Sequence, residues 1–143
     1  MIAWKSESEL HTVLIISTDV EMVSVWETLF KQKNCHVINE TDPYTALQTA
    51  HLLCPSLVVL HLDMPERELI SLCRELRAST NGTLLLLAPS VDHNQNVFEY
   101  YQAGVDEHII TPISPMALLI KSMAWLVKQE WTSLPMQKLQ IQA

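Results

Sequence analysis

The side chains best placed to do chemistry are His61, in the stretch LVVLHLDMP from Leu57 to Pro65, and the hydroxyls of Ser17 and Thr18, which end the stretch TVLIIST. An imidazole within reach of a hydroxyl is the pairing of general base and nucleophile. That chemistry also needs a third group to orient the ring, and no residue is spaced to supply one. A lone histidine in HLD falls short of the ligand count a metal requires. No catalytic residue, metal ligand or cofactor is therefore assigned, and the chain is not expected to be an enzyme. Ser17 and Thr18 have no glycine beside them to let the backbone wrap a phosphate, so flavin binding is not expected and helix capping is the simpler role.

These residues need strands to carry them. LVVLH is a four-residue apolar run opened by Pro55 and Ser56 and closed by Pro65, which suits a buried strand ending in His61. TVLIIS is a first strand, CHVIN a second, TLLLLA a fourth and EHII a fifth. Segments of helical period alternate with them. Asp19 caps a helix with Met22, Val23, Trp26, Leu29 and Phe30 on one face, and Asp42-Pro43 opens another whose stripe is Ala46, Leu47, Ala50, Leu53 and Cys54. Leu69, Leu72, Cys73 and Leu76 trace a third, expected to stop near Asn81-Gly82. A fourth is expected from about Asp92 to Ala103, ending at Gly104, and Ser114-Pro115 opens a last one reaching Lys128 or a little beyond.

Strict alternation implies an α/β fold, a doubly wound parallel sheet with helices on both faces and LVVLH and TLLLLA at its centre. Ligands in such sheets sit at the carboxyl ends of the strands, where His61 falls. With 143 residues one domain is expected. A net charge of -7 disfavours direct contact with nucleic acid, which needs concentrated Lys and Arg. Cys35, Cys54 and Cys73 are odd in number and scattered, as reduced thiols are. No apolar run approaches the roughly 20 residues that span a bilayer, so no membrane contact and a cytoplasmic location are expected.

The stretch PSLVVLHLDMPERELISLCRELR resembles the third strand, loop and third helix of response-regulator receiver domains, the CheY-like family, and AGVDEHIITPISPMALLIKSMAWLV resembles their ending. The match spans about Thr12 to Gln129 and implies the flavodoxin-like (βα)5 fold with strand order 2-1-3-4-5. Receivers accept a phosphoryl group on an aspartate, with carboxylates holding Mg²⁺ and a lysine neutralising the charge that develops. Here the acceptor position is His61, the acidic pair is Ser17 and Thr18 with Asp19 next door, the switch hydroxyl is Ala88, the lysine is Thr111 before Pro112, and the switch aromatic is His108. The resemblance implies the fold and denies the reaction, in a pocket expected to be nearly neutral and unable to take Mg²⁺.

Three readings of His61 stand open. It is a structural histidine bonded to Ser17, Thr18 or Thr111, or one of a buried His61 and His108 pair that senses pH or a ligand, or a phosphoryl acceptor or metal ligand. By the same resemblance, Asp106, Glu107, Lys121 and Lys128, with Trp125 and Val127 among them, match the face through which winged-helix (OmpR/PhoB-type) regulators dimerise. The expected protein is a homodimer that needs no phosphorylation, reaches DNA only through a separate C-terminal domain, and has a histidine kinase as a candidate partner. The rival is a binding module regulated by a small ligand or partner protein at the strand ends. Residues 1–11 are read as an extension, 12–129 as the domain and 130–143 as a linker or tail.

Overall fold

The computed structural model describes residues 11–89 and 95–142, the side chains of 95, 96 and 133–142 excepted. Five parallel strands, β1 (Thr12–Ser17), β2 (His36–Glu40), β3 (Leu57–His61), β4 (Thr83–Pro89) and β5 (Glu107–Thr111), lie in the order β2-β1-β3-β4-β5. Five helices alternate with them, α1 (Val20–Gln32), α2 (Pro43–Leu53), α3 (Glu66–Ser79), α4 (Gln95–Gln102) and α5 (Pro115–Gln142). The flavodoxin-like order read from the sequence is the observed one.

Successive strand residues point to opposite faces, so each continuous apolar run feeds two cores. Leu14, Ile16, Val58, Leu60, Leu84 and Leu86 pack under α2, α3 and α4. Val13, Ile15, Val59, Leu85, Leu87 and Ile109 pack under α1 and α5, around Trp26 and Phe30. Both clusters are almost fully withdrawn from water.

Capping sets where the helices start. Asp19 accepts the Met22 amide at 3.2 Å to open α1, and Asp42 accepts the Thr45 amide at 2.9 Å ahead of Pro43 to open α2. Several ends differ from expectation. Leu53 and Cys54 were expected in the buried stripe of α2 but are exposed, because Cys54 already turns the chain away with φ 47°. α3 stops at Ser79 on an extended Thr80, and Gly82 caps nothing. Glycine is needed there because a Cβ would lie 2.1 Å from the carbonyl oxygen of Pro55. Gly104 does end the α4 turn as expected, with φ 109°. The expected start of α4 near Asp92 lies outside the described residues. α5 runs to Gln142, well past the end expected near Lys128.

Candidate functional site

Ser17 and His61 are the last residues of two neighbouring strands and stand directly across from each other in the β1 and β3 register. Their side chains meet, with Ser17 Oγ 2.9 Å from His61 Nδ1. Ser17 is 1% exposed and its Oγ also accepts the Asp19 amide at 3.1 Å. Ser17 Oγ thus bridges the Asp19 amide and the imidazole, donating to Nδ1 or accepting from it according to the ring tautomer. Trp26 packs its ring against the imidazole edge-on, with centroids 5.4 Å apart. Of the three partners open to His61, the structure supplies Ser17; Thr18 is exposed and Thr111 lines the neighbouring cavity.

That cavity, about 560 Å³, opens between the carboxyl ends of β1, β3, β4 and β5. Ala88 and Leu87 form part of its wall, with Tyr100 from α4. Among the described residues its rim carries Asp19, Asp63 and Glu66 and neither lysine nor arginine. The expectation of a nearly neutral pocket is therefore corrected: Asp63 and Glu66, from the loop and first helical turn after β3, join Asp19 at its mouth. Among the described residues, no three His, Cys, Asp or Glu side chains stand together as a metal site.

Burial holds the His61 imidazole below its usual pKa, and the opposing charge of Asp19 offsets this only in part. The folded state thus prefers neutral His61 while the unfolded chain takes up a proton near the ordinary value of 6.5. Between the two, the unfolded state binds more protons, so stability is present above about pH 6.5 and is lost as pH falls through the folded pKa. Replacing His61 by Asn is expected to flatten this part of the stability profile, read by urea titrations at several pH values between 5 and 8. An unchanged slope in the variant would place the titrating group elsewhere.

His108 does not join His61, because β4 lies between their strands. Its amide donates to the Tyr101 hydroxyl, its ring lies 5.5 Å from Tyr100, and its Nε2 is buried without a protein partner. The imidazole pair that one of the three readings of His61 required is not formed. Cys73, on α3, is buried with its thiol pushed up to about 12 by desolvation, which leaves it unreactive.

The charged face is also rearranged. Asp106 accepts from Arg77 at 3.1 Å and from the Leu84 amide at 2.8 Å. Glu107 accepts from Lys121 at 2.8 Å through one oxygen and from the Trp125 indole at 2.9 Å through the other. Burial pushes the Glu107 carboxyl up, but these two bonds and the Lys121 charge outweigh it, and the group titrates below its usual range. Lys128 sits over the Trp125 ring at 4.7 Å. Asp106, Glu107, Lys121, Trp125 and Lys128 of the expected dimer face are thus engaged within their own chain, and Val127 is left exposed. Arg77 carried no signal in the sequence, where it is one of several cations on an amphipathic helix.

The profile of the response regulator receiver domain matches residues 13–122. The chain belongs to the response-regulator receiver family. Among solved structures, this receiver is similar to the CheY-like receiver domain protein of Methanospirillum hungatei, with a TM-score of 0.77 at 18% identity over 87% of this chain and 99% of that one. A two-component response regulator of Clostridium difficile superposes with a TM-score of 0.74 at 18% identity, over 83% and 98% of the two chains. Its sequence is 26% identical to the transcriptional regulatory protein RstA of Escherichia coli over 87% of this chain and 52% of that protein. It is 25% identical to the DNA-binding response regulator MtrA of Mycolicibacterium smegmatis over 82% and 51%. The chain thus spans about half the length of these curated relatives.

Proposed function

We propose that this receiver signals without phosphoryl transfer, as a constitutively assembled dimer that serves a transcription regulator. The observation that carries this reading is the Ser17 to His61 hydrogen bond, which fills the strand-end position where the family resemblance calls for carboxylates. A neutral imidazole bonded to a hydroxyl offers no anionic oxygen to attack phosphorus, and a hard dication deprived of clustered carboxylates keeps its water. Ser17 is no substitute nucleophile, since it is buried and its oxygen is already shared between Asp19 and His61. Without phosphorylation to shift the equilibrium, the sequence must set it.

The similarity to RstA and MtrA supports a DNA-binding effector on a separate domain, consistent with the charge of -7 on this chain. A histidine kinase remains a candidate docking partner, one that would bind without transferring phosphate. Incubation with Mg²⁺ and labelled acetyl phosphate is expected to leave the chain unlabelled; stoichiometric labelling would overturn the reading. A second reading, a module that binds a ligand or partner at the strand ends, is favoured by the acidic rim of the 560 Å³ cavity, which suits a cationic group. It predicts a monomer that responds to that ligand.

A further inference from the structure

We propose that α5 pairs with α5 of a second copy as a parallel two-stranded coiled coil. This rests on the constitutive-dimer reading and names the surface that would hold it. α5 is apolar on two opposite sides. Leu118, Leu119, Ser122 and Leu126 face the domain core and are at most 5% exposed. On the other side Ile120, Ala124, Val127 and Trp131 are exposed, Ile120 by 63% and Trp131 by 69%. Their spacing is four, three and four, the alternation that keeps a seam facing a partner helix. The sequence carries the same alternation on through Leu134, Lys138 and Ile141, and the helix continues to Gln142.

Written as heptads, the exposed residues occupy a and d while the buried ones occupy b, c and f. One side of the helix therefore serves the domain and the other is left for a partner. A seam of this kind is self-complementary, so a second copy of the same helix satisfies it. Three heptads lie near the lower limit for such a signal. Lys138 is the single charged residue in the seam, a device that costs stability and fixes register. Pro135 lies at an e position and takes a hydrogen bond from the helix without removing a seam residue.

Charge selects the direction. Lys121 and Lys128 occupy e positions, and an antiparallel pair would set them against each other. A parallel pair sets them against g positions, which are Met116 and Met123, where lysine stems lie comfortably along thioethers. The seam is distinct from Glu107, Lys121 and Trp125, which are joined to one another within one chain.

The test is disulfide capture combined with sedimentation equilibrium on the 143-residue chain, in a Cys54→Ser background that removes the exposed native thiol. In a parallel in-register pair Val127 meets its own copy, so Val127→Cys is expected to form a cross-linked dimer on mild oxidation. Val127→Glu, at an exposed position that the fold tolerates, is expected to weaken association about 100-fold or more. A dimer that survives Val127→Glu and leaves Val127→Cys uncross-linked would overturn the α5 seam while leaving constitutive assembly intact. A monomer at every concentration would overturn both.

Discussion

Replacing Gly82 by alanine is expected to destabilise the domain by about 3 kcal/mol or more, among the larger costs a single methyl can exact. The added Cβ would sit 2.1 Å from the Pro55 carbonyl oxygen and 2.7 Å from the carbonyl group of Ser56. Neither can yield as a flexible side chain would, since both belong to the backbone that enters β3. The entry is cross-braced on all sides. Thr83 donates its amide to Ser56 at 2.9 Å, Thr80 donates its hydroxyl to Pro55 at 3.0 Å, and Gln129 of α5 reaches Ser56 at 2.9 Å and the Thr83 hydroxyl at 2.6 Å. Making room means separating β3 from β4 at their amino ends and releasing the tether on α5. Urea denaturation followed by circular dichroism measures the loss; a cost below about 1 kcal/mol would show that the strands move apart freely.

Arg77→Ala is expected to cost about 2 kcal/mol or more, in keeping with a partly buried, charge-assisted network that loses its donor. The guanidinium ties the end of α3 to three carbonyls, of Thr80 at 2.8 Å, Gly104 at 3.1 Å and Gly82, and to the Asp106 carboxylate at 3.1 Å. Its stem also packs where a side chain on Gly104 would go. Lysine should rescue little, because a point charge cannot reproduce the planar fork. A double-mutant cycle with Asp106→Asn is expected to show coupling in unfolding free energy of about 1 kcal/mol. An Asp106 effect confined to association, with no coupling to Arg77, would return that carboxylate to a dimer axis.

How much could be seen in advance follows from which forces act locally. Uninterrupted apolar runs mark strands buried on both faces, so β1, β3 and β4 were legible almost to the residue; the alternation of period implied a parallel sheet with helices on both faces, and the strand order followed from the resemblance to receiver domains. Ser17 was one of three partners open to His61 in the sequence, with Thr18 and Thr111, and the pairing of β1 with β3 selects it. The charged side chains were not legible. Asp106, Glu107 and Lys121 were matched to a dimer face by resemblance, and only the packing of α3 and α5 onto β5 brings Arg77 and Trp125 within reach. Gly82 read as a helix stop, because the approach of Pro55 and Ser56, distant in the chain, leaves no mark on local sequence. The two apolar sides of α5 blurred its period, so its end was placed too early.

The acidic rim of the strand-end cavity belongs with these. Asp63 and Glu66 lie in the loop and first turn after β3, and their proximity to Asp19 depends on β1 and β3 being neighbours. Together they leave the mouth of the cavity negatively charged, with neither lysine nor arginine among its described lining residues.

Sedimentation velocity on the 143-residue chain, with and without Mg²⁺ and beryllofluoride, tests the central claim most directly. Beryllofluoride mimics a phosphoryl group only where a carboxylate and a cation receive it. A dimer at micromolar concentration, with the same association in both conditions, is the predicted result; a monomer that dimerises only when Mg²⁺ and beryllofluoride are added would contradict the account.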